Sequence, residues 1–392
     1  MTAQRTIIAG ASAAGWLTAE ALRRHQYQGE IVLIGDEPSY ERPPLSKQVL
    51  SGDWHADRTA LFSTERQDKI GAKLLLGRAS ALDVGQRTIK VEHGETIAFD
   101  HAVIATGVRP RTLPGTDVKG FHVLRTIGDA LALREKMSRQ GDIIIFGAGF
   151  IGMEVAATAR RLGIGAIVID PVFEPLRLRL GAAVASRLYA RHRAEGVEFR
   201  FGLSLAAIST RAGEDGAPRL KAVSLSDGSV LATEVALVAI GCQPNVEWLS
   251  GSGLTIDDGV GCDDFCMAAE GIWAAGDVAR WRHRGFGVDM RIEHRTNAAE
   301  QGDTVARNIM GQAKPYLPVP FFWSDQFDIR LQVAGRVLED AEARVEHGDI
   351  DGSSFVVSYR ADGRLSGVVG WNAGKAVTEF RRELLAQLSP QT

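Results

Sequence analysis

Cysteine is scarce in this chain, with only Cys242, Cys262 and Cys266 in 392 residues. That is too few for a secreted disulfide framework or a complete four-cysteine zinc site, and a reducing cytoplasm is the expected compartment. No apolar run reaches 18 residues, and the opening Met1-Thr2-Ala3-Gln4-Arg5-Thr6 has no basic-then-apolar leader pattern. Neither a spanning helix nor secretion is expected. Net charge is also lacking. The 45 Lys and Arg against 48 Asp and Glu leave −3, too little to gather nucleic acid or anionic lipid.

Glycine is plentiful, 43 of 392, about 11% against a usual value near 7%. The excess gathers in turns. Ile7-Ile8-Ala9 runs into Gly10-Ala11-Ser12-Ala13-Ala14-Gly15, then a helical stretch to about Arg24 and the apolar run Ile31–Ile34. This is half of a nucleotide-binding sheet. The pattern returns in Ile143–Phe146, Gly147-Ala148-Gly149-Phe150-Ile151-Gly152, a helix carrying Val155, Ala156 and Ala159, and Ile167–Ile169. Both copies continue alike: a hairpin turn at Gly94 leads to a strand ending at Gly107, and one at Gly228 leads to a strand ending at Gly241, with equal spacing. A lone glycine-rich turn is weak evidence, but a matched pair with matched hairpins predicts a duplicated dinucleotide-binding fold.

The predicted class is α/β, with two Rossmann-like domains, each of three layers, and a C-terminal α+β domain. Residues 1–112 and 241–317 are expected to form the first domain, because Gly271–Asp277 and a helix over Asn297–Met310 are not needed by the second. Residues 113–240 form the second. Residues 318–392 form the third, with strands at Phe355–Tyr359 and Leu365–Trp371 and a helix carrying Val377, Phe380, Leu384 and Leu385.

In each turn, glycines let backbone N–H groups approach a pyrophosphate at the positive end of a helix. Gly10, Ser12 and Gly15 would do so in the first copy, Ser12 replacing the middle glycine and offering its hydroxyl. Gly147, Gly149 and Gly152 would do so in the second. Asp36 and Asp170 end the second strand of each copy, where a carboxylate accepts ribose hydroxyls. An acid at Asp170 favours NADH over NADPH, although Arg177 and Arg179 nearby are positioned to accept a phosphate. Two dinucleotide sites facing one another suggest hydride transfer from nicotinamide to flavin.

Tyr40-Glu41-Arg42-Pro43-Pro44-Leu45-Ser46-Lys47, Ala105-Thr106-Gly107, Leu124-Arg125-Thr126, Ala275-Gly276-Asp277, Arg291-Ile292-Glu293 and Phe322-Trp323-Ser324-Asp325-Gln326 resemble the FAD-dependent ferredoxin reductases of bacterial ring-hydroxylating dioxygenases and cytochromes P450. The resemblance spans nearly the whole chain. It implies that Ala14, Asp36, Arg42, Lys47, Thr106, Gly107, Arg125, Asp277 and Trp323 line an FAD site, with Ala79 over the adenine. It also places Ile151, Glu154 and Gly241 in the NADH site, with Lys47 and Glu154 at the reacting centre. The structural alternatives are a surface lysine closing a proline turn and a first-turn helix acid. Arg295 departs from the family, where Trp or Val is common beside the flavin. It is expected either to face the flavin or a ferredoxin carboxylate, or to form a salt bridge with Glu293 or Glu300.

The implied cycle is hydride transfer from NADH, then two single-electron transfers to a docked [2Fe–2S] ferredoxin, of Rieske or similarly high potential, that feeds an oxygenase in aromatic catabolism. A monomer or a homodimer would serve. Arg280, Arg282 and Arg284 form either a docking loop or solvated charge. Disulfide reductase chemistry is excluded, because residues 36–60 contain no cysteine. Rubredoxin or monodehydroascorbate reductase activity, and an apoptosis-inducing-factor-like binding role, remain the alternatives.

Overall fold

The computed structural model describes residues 4–139 and 141–388. Strand Arg5–Ala9 lies in a six-stranded sheet between Glu30–Gly35 and His101–Ile104, parallel to both. Its apolar residues are buried on both faces, as a parallel sheet covered on each side requires. Strand Ile272–Ala274 extends this sheet beside His101–Ile104, although more than 160 residues separate them. The helix Ala13–Arg24 packs with the helix Arg295–Ile309 on one face. An antiparallel layer of Ala79–Asp83, Thr88–Val91 and Thr96–Ala98 covers the other.

The second unit repeats the plan. Ile143–Phe146 is parallel to Ala166–Asp170 and to Ala236–Val238 in a five-stranded sheet. Its third layer comprises Leu205–Ala212, Pro218–Leu225 and Val230–Ala232. The repeat extends to atomic detail. A Cβ at Gly10 (φ +119°) would stand 2.1 Å from the Ala105 carbonyl oxygen, and one at Gly147 (φ +110°) 2.3 Å from that of Ala239. Only glycine lets the chain leave the strand so close to its neighbour.

At the C-terminus, five antiparallel strands follow the order Phe321–Gln326, Ile329–Gly335, Arg364–Trp371, Phe355–Ala361 and Glu342–Gly348, with the helix Gly374–Leu388 against them. One apolar core runs from the second unit into this sheet, joining Leu188, Tyr189 and Met153 to Leu331, Phe355 and Trp371. Tyr359 Oη donates to the Leu180 carbonyl at 2.5 Å across the same boundary.

The helix predicted over Asn297–Met310 spans Arg295–Ile309. Arg280 and Arg282 lie in strand Ala279–His283, not in a loop, and Arg284 directly follows it. Arg280 pairs with Asp257 and Asp289, Arg282 with Asp289, and Arg284 with Asp264. These arginines are locally neutralised.

Candidate functional site

The two glycine turns lead into the helices Ala13–Arg24 and Phe150–Arg161. Helix Phe150–Arg161 begins at Gly149, whose φ of −76° suits any residue. A Cβ there would meet no atom within 4 Å, whereas one at Gly152 would stand 2.0 Å from the Gly147 carbonyl oxygen. Gly152 is therefore needed by the fold, while Gly149 leaves open space where a phosphate would approach. Ser12 occupies the corresponding position in the first turn, with φ −96° and no capping bond. Asp170 is 9% exposed, and its two oxygens accept from Ala148 N–H (2.9 Å) and Val172 N–H (2.8 Å). The carboxylate thus fixes the second turn. Asp36 is half exposed and pairs with Arg78, which precedes Ala79 at the start of an antiparallel strand.

Around the first turn the predicted residues interlock. Arg42 donates to the Arg125 carbonyl (2.6 Å), approaches Ser12 Oγ (3.5 Å) and pairs with Glu37. Its buried Nε has no partner. Arg125 Nη2 lies 3.3 Å from Asp277 Oδ2. Burial pushes the Asp277 carboxyl up, and the Arg125 charge opposes that shift. A Cβ on Gly107 would approach Arg125 at 3.4 Å, and one on Gly276 would approach Ala14 Cβ at 2.7 Å. Thr106 Oγ1 donates to the Asn245 carbonyl at 2.8 Å, tying together the crossing segments. Trp323 is partly buried in the strand Phe321–Gln326, and Gly241 turns the chain with φ +91°.

Lys47 and Glu154 meet. Lys47 Nζ lies 2.7 Å from Glu154 Oε2, and the side chains are 10% and 4% exposed. Lys47 closes the proline-initiated turn Pro43–Ser46 but is buried, and Glu154 lies beyond the first turn of its helix. Ser46 Oγ also donates to Glu154 Oε2 (2.5 Å), and Ser324 Oγ donates to Oε1 (2.6 Å). Glu154 therefore joins the first unit, the second unit and the C-terminal sheet at one carboxylate. Gln326 donates to Ser324 Oγ (2.9 Å) and accepts from His192 Nε2 (2.7 Å).

Ser46, Ser324, Gln326 and His192 carry no role in the sequence reading. A signal existed for two of them: Ser324 and Gln326 are two apart on a strand, which places them on one face.

Arg295 forms neither expected salt bridge. It makes a two-pronged pair with Glu41, at 2.6 Å through both Nε and Nη2. Glu293 is taken by Arg291 and Glu300 by Arg381. Arg295 opens its helix, where a cation opposes the helix dipole, and Glu41 supplies the missing negative charge. Ile151 is 44% exposed beside the second turn. All three cysteines are free, and burial pushes Cys242 and Cys266 up to about 12, leaving them in the thiol form.

Residues 4–302 match the pyridine nucleotide-disulphide oxidoreductase family, and residues 321–392 match the reductase C-terminal family. Rhodocoxin reductase from Rhodococcus erythropolis is 32% identical over 97% of this chain and 90% of its own length. The chain belongs to the pyridine nucleotide-disulphide oxidoreductase family, in its ferredoxin reductase branch. The ferredoxin–NAD(+) reductase component of the anthranilate 1,2-dioxygenase system from Burkholderia cepacia is 34% identical over 100% of this chain and 96% of its own.

Among solved structures, the ferredoxin reductase of the CYP199A2 system from Rhodopseudomonas palustris superposes with TM-score 0.90 at 32% identity, covering 97% of this chain and 93% of that one. A covalent putidaredoxin reductase–putidaredoxin complex gives 0.92 at 27% identity, covering 99% and 94%. The family uses a flavin and NAD. The residues present fit such ligands: open space at Gly149, a tight turn at Gly10, and an unpartnered buried Arg42 Nε beside Ser12.

Proposed function

We propose that this protein is an FAD-dependent NADH:ferredoxin reductase. The observation that carries the reading is the buried Lys47–Glu154 pair, one partner from each glycine-turn unit. In this reading, residues 1–112 and 241–317 hold FAD, residues 113–240 bind NADH, and residues 318–392 close the site. Bound flavin would supply the exchange between a two-electron donor and a one-electron acceptor.

The chain's own residues position, screen and neutralise. Backbone N–H groups at Gly10–Gly15, with Ser12, Arg42 and Arg125, would take the FAD pyrophosphate, and Asp36 the adenosine ribose beside Ala79. Asp277 would meet the polar chain between flavin ring and phosphates, with Ala14, Thr106 and Gly107 beneath it and Trp323 at the ring. Lys47 would set a positive charge against the flavin ring, where reduction builds negative charge. Glu154 orients that ammonium and borders the nicotinamide. Gly147, Gly149, Ile151, Gly152 and Gly241 shape the NADH path. Asp170, with the buried Glu174 nearby, disfavours a 2′-phosphate and supports NADH in preference to NADPH. Arg295 is held by Glu41, which supports a structural role rather than a flavin contact.

The partner is a [2Fe–2S] ferredoxin, of Rieske type or similarly high potential, that passes electrons to an oxygenase in the cytoplasm. A monomer or a homodimer suffices. No helix among the described residues is long and apolar enough to cross a membrane. The test is NADH-driven cytochrome c reduction with and without [2Fe–2S] proteins. At least a tenfold stimulation by one of them is expected. Reduction of quinone or ascorbate radical that ignores every iron–sulfur partner would overturn the assignment.

A further inference from the structure

The C-terminal domain reaches the Lys47–Glu154 pair through Ser324. Ser324 and Gln326 share a face of strand Phe321–Gln326 and are 1% and 2% exposed. The hydrogen bonds between them have a fixed direction. Gln326 Nε2 donates to Ser324 Oγ, so that oxygen is occupied as an acceptor and its proton is directed to Glu154 Oε1 at 2.6 Å. Gln326 Oε1 then accepts from His192 Nε2, 2.7 Å away on a helix of the second unit. Burial pushes His192 down to about 4, so the ring is neutral, and its other nitrogen has no partner. That leaves the Nε2–H tautomer, which the chain requires. Glu154 Oε2 is meanwhile held by Lys47 and Ser46. Of these contacts, the Ser324 hydroxyl alone satisfies Oε1.

We propose that Ser324 and Gln326 are positioning residues for hydride transfer, through which the C-terminal domain holds the Glu154 carboxylate in the orientation that places the Lys47 ammonium. They touch neither reacting atom. Ser324 fixes Oε1, Gln326 fixes the Ser324 rotor, and His192 fixes the Gln326 amide. Without the serine hydroxyl, Oε1 is buried without that donor, the carboxylate rotates to recover a partner, and Lys47 moves with it. This rests on the placement of Lys47 and Glu154 beside flavin and nicotinamide proposed above.

The test compares Ser324→Ala, Ser324→Thr, Gln326→Leu and Glu154→Gln as flavin-loaded proteins. The readouts are the flavin midpoint potential, the single-turnover rate of reduction by NADH, and the KM for NADH. Ser324→Ala is expected to slow reduction ten- to hundredfold and lower the potential, with KM and flavin content within twofold of the parent. Gln326→Leu should slow it three- to tenfold, and it carries the test if Ser324→Ala does not fold. Ser324→Thr keeps the hydroxyl and should restore the rate to within threefold. Parent-like rate and potential in both Ser324→Ala and Gln326→Leu would overturn the proposal, as would a Ser324→Thr defect equal to that of Ser324→Ala. If Glu154→Gln also reduces at the parent rate, the placement of the ion pair fails instead. A slow Glu154→Gln beside parent-like Ser324→Ala and Gln326→Leu refutes only the positioning role.

Discussion

Asp170→Asn separates two roles that meet at one side chain. Both carboxylate oxygens accept backbone N–H groups, from Ala148 and Val172. Asparagine has the same shape but only one acceptor oxygen, so one N–H faces an NH₂ group whichever way the amide turns. Losing a charged acceptor at a buried donor costs about 1–3 kcal/mol, and a fall of about 2 kcal/mol in stability is expected. The second role is electrostatic. A unit charge on a 2′-phosphate about 6 Å from the carboxylate is repelled by ~3 kcal/mol at an effective dielectric of 20. Solvent reduces this to about half, and 1.4 kcal/mol is a factor of ten. The ratio of NADPH to NADH dissociation constants should therefore fall at least tenfold. Nucleotide titrations followed by flavin reduction give the ratio, and urea melts give the stability. A lowered melt with the ratio unchanged within twofold would refute the ribose argument and leave Asp170 with the turn alone.

Gly149→Ala should stay within about 1 kcal/mol of parent stability, the cost of a poorer N-cap, yet bind NADH at least tenfold more weakly, because its Cβ enters space free of protein atoms; calorimetry and a thermal melt check both halves. Gly152→Ala should do the reverse and lose about 3 kcal/mol or more to the clash with Gly147 in a packed turn. His192, with a folded value near 4 against 6.5 when unfolded, binds fewer protons in the native state. Its contribution is full above about pH 6.5, falls by up to ~3 kcal/mol as pH drops toward 4, and levels off below. His192→Gln should flatten that window in urea titrations. A double-mutant cycle on Glu41→Gln and Arg295→Gln should give a coupling of about 1 kcal/mol for this two-pronged, partly exposed pair, and a value near zero would deny it a structural role.

The duplicated fold is legible because its signal is local and repeated: a strand, a glycine turn and a helix occur twice, and steric rules at Gly10 and Gly147 allow little else. Lys47 and Glu154 could be named from motifs that sit beside the two turns. Their mutual contact could not, because it joins residues 107 positions apart through tertiary packing alone. The same holds for Ser324, Gln326 and His192, whose partners come from different units. The ion-pair partner of Arg295 was not legible, because Glu293 and Glu300 are its neighbours in sequence while the fold brings in Glu41 from 254 positions away. The Arg280–Arg284 run shows the same limit: its three cations leave a docking loop or solvated charge open in the sequence, and only the fold brings Asp257, Asp289 and Asp264 beside them.

The central claim is that two nucleotide units face each other across the Lys47–Glu154 pair, one holding flavin and the other receiving NADH. Anaerobic titration of the purified protein with NADH, followed in the visible spectrum, tests it most directly. A yellow protein whose flavin band bleaches with about one equivalent of NADH per chain, and far more slowly in Glu154→Gln, is predicted. A preparation that remains colourless after incubation with FAD, or one whose bound flavin ignores NADH, would contradict it.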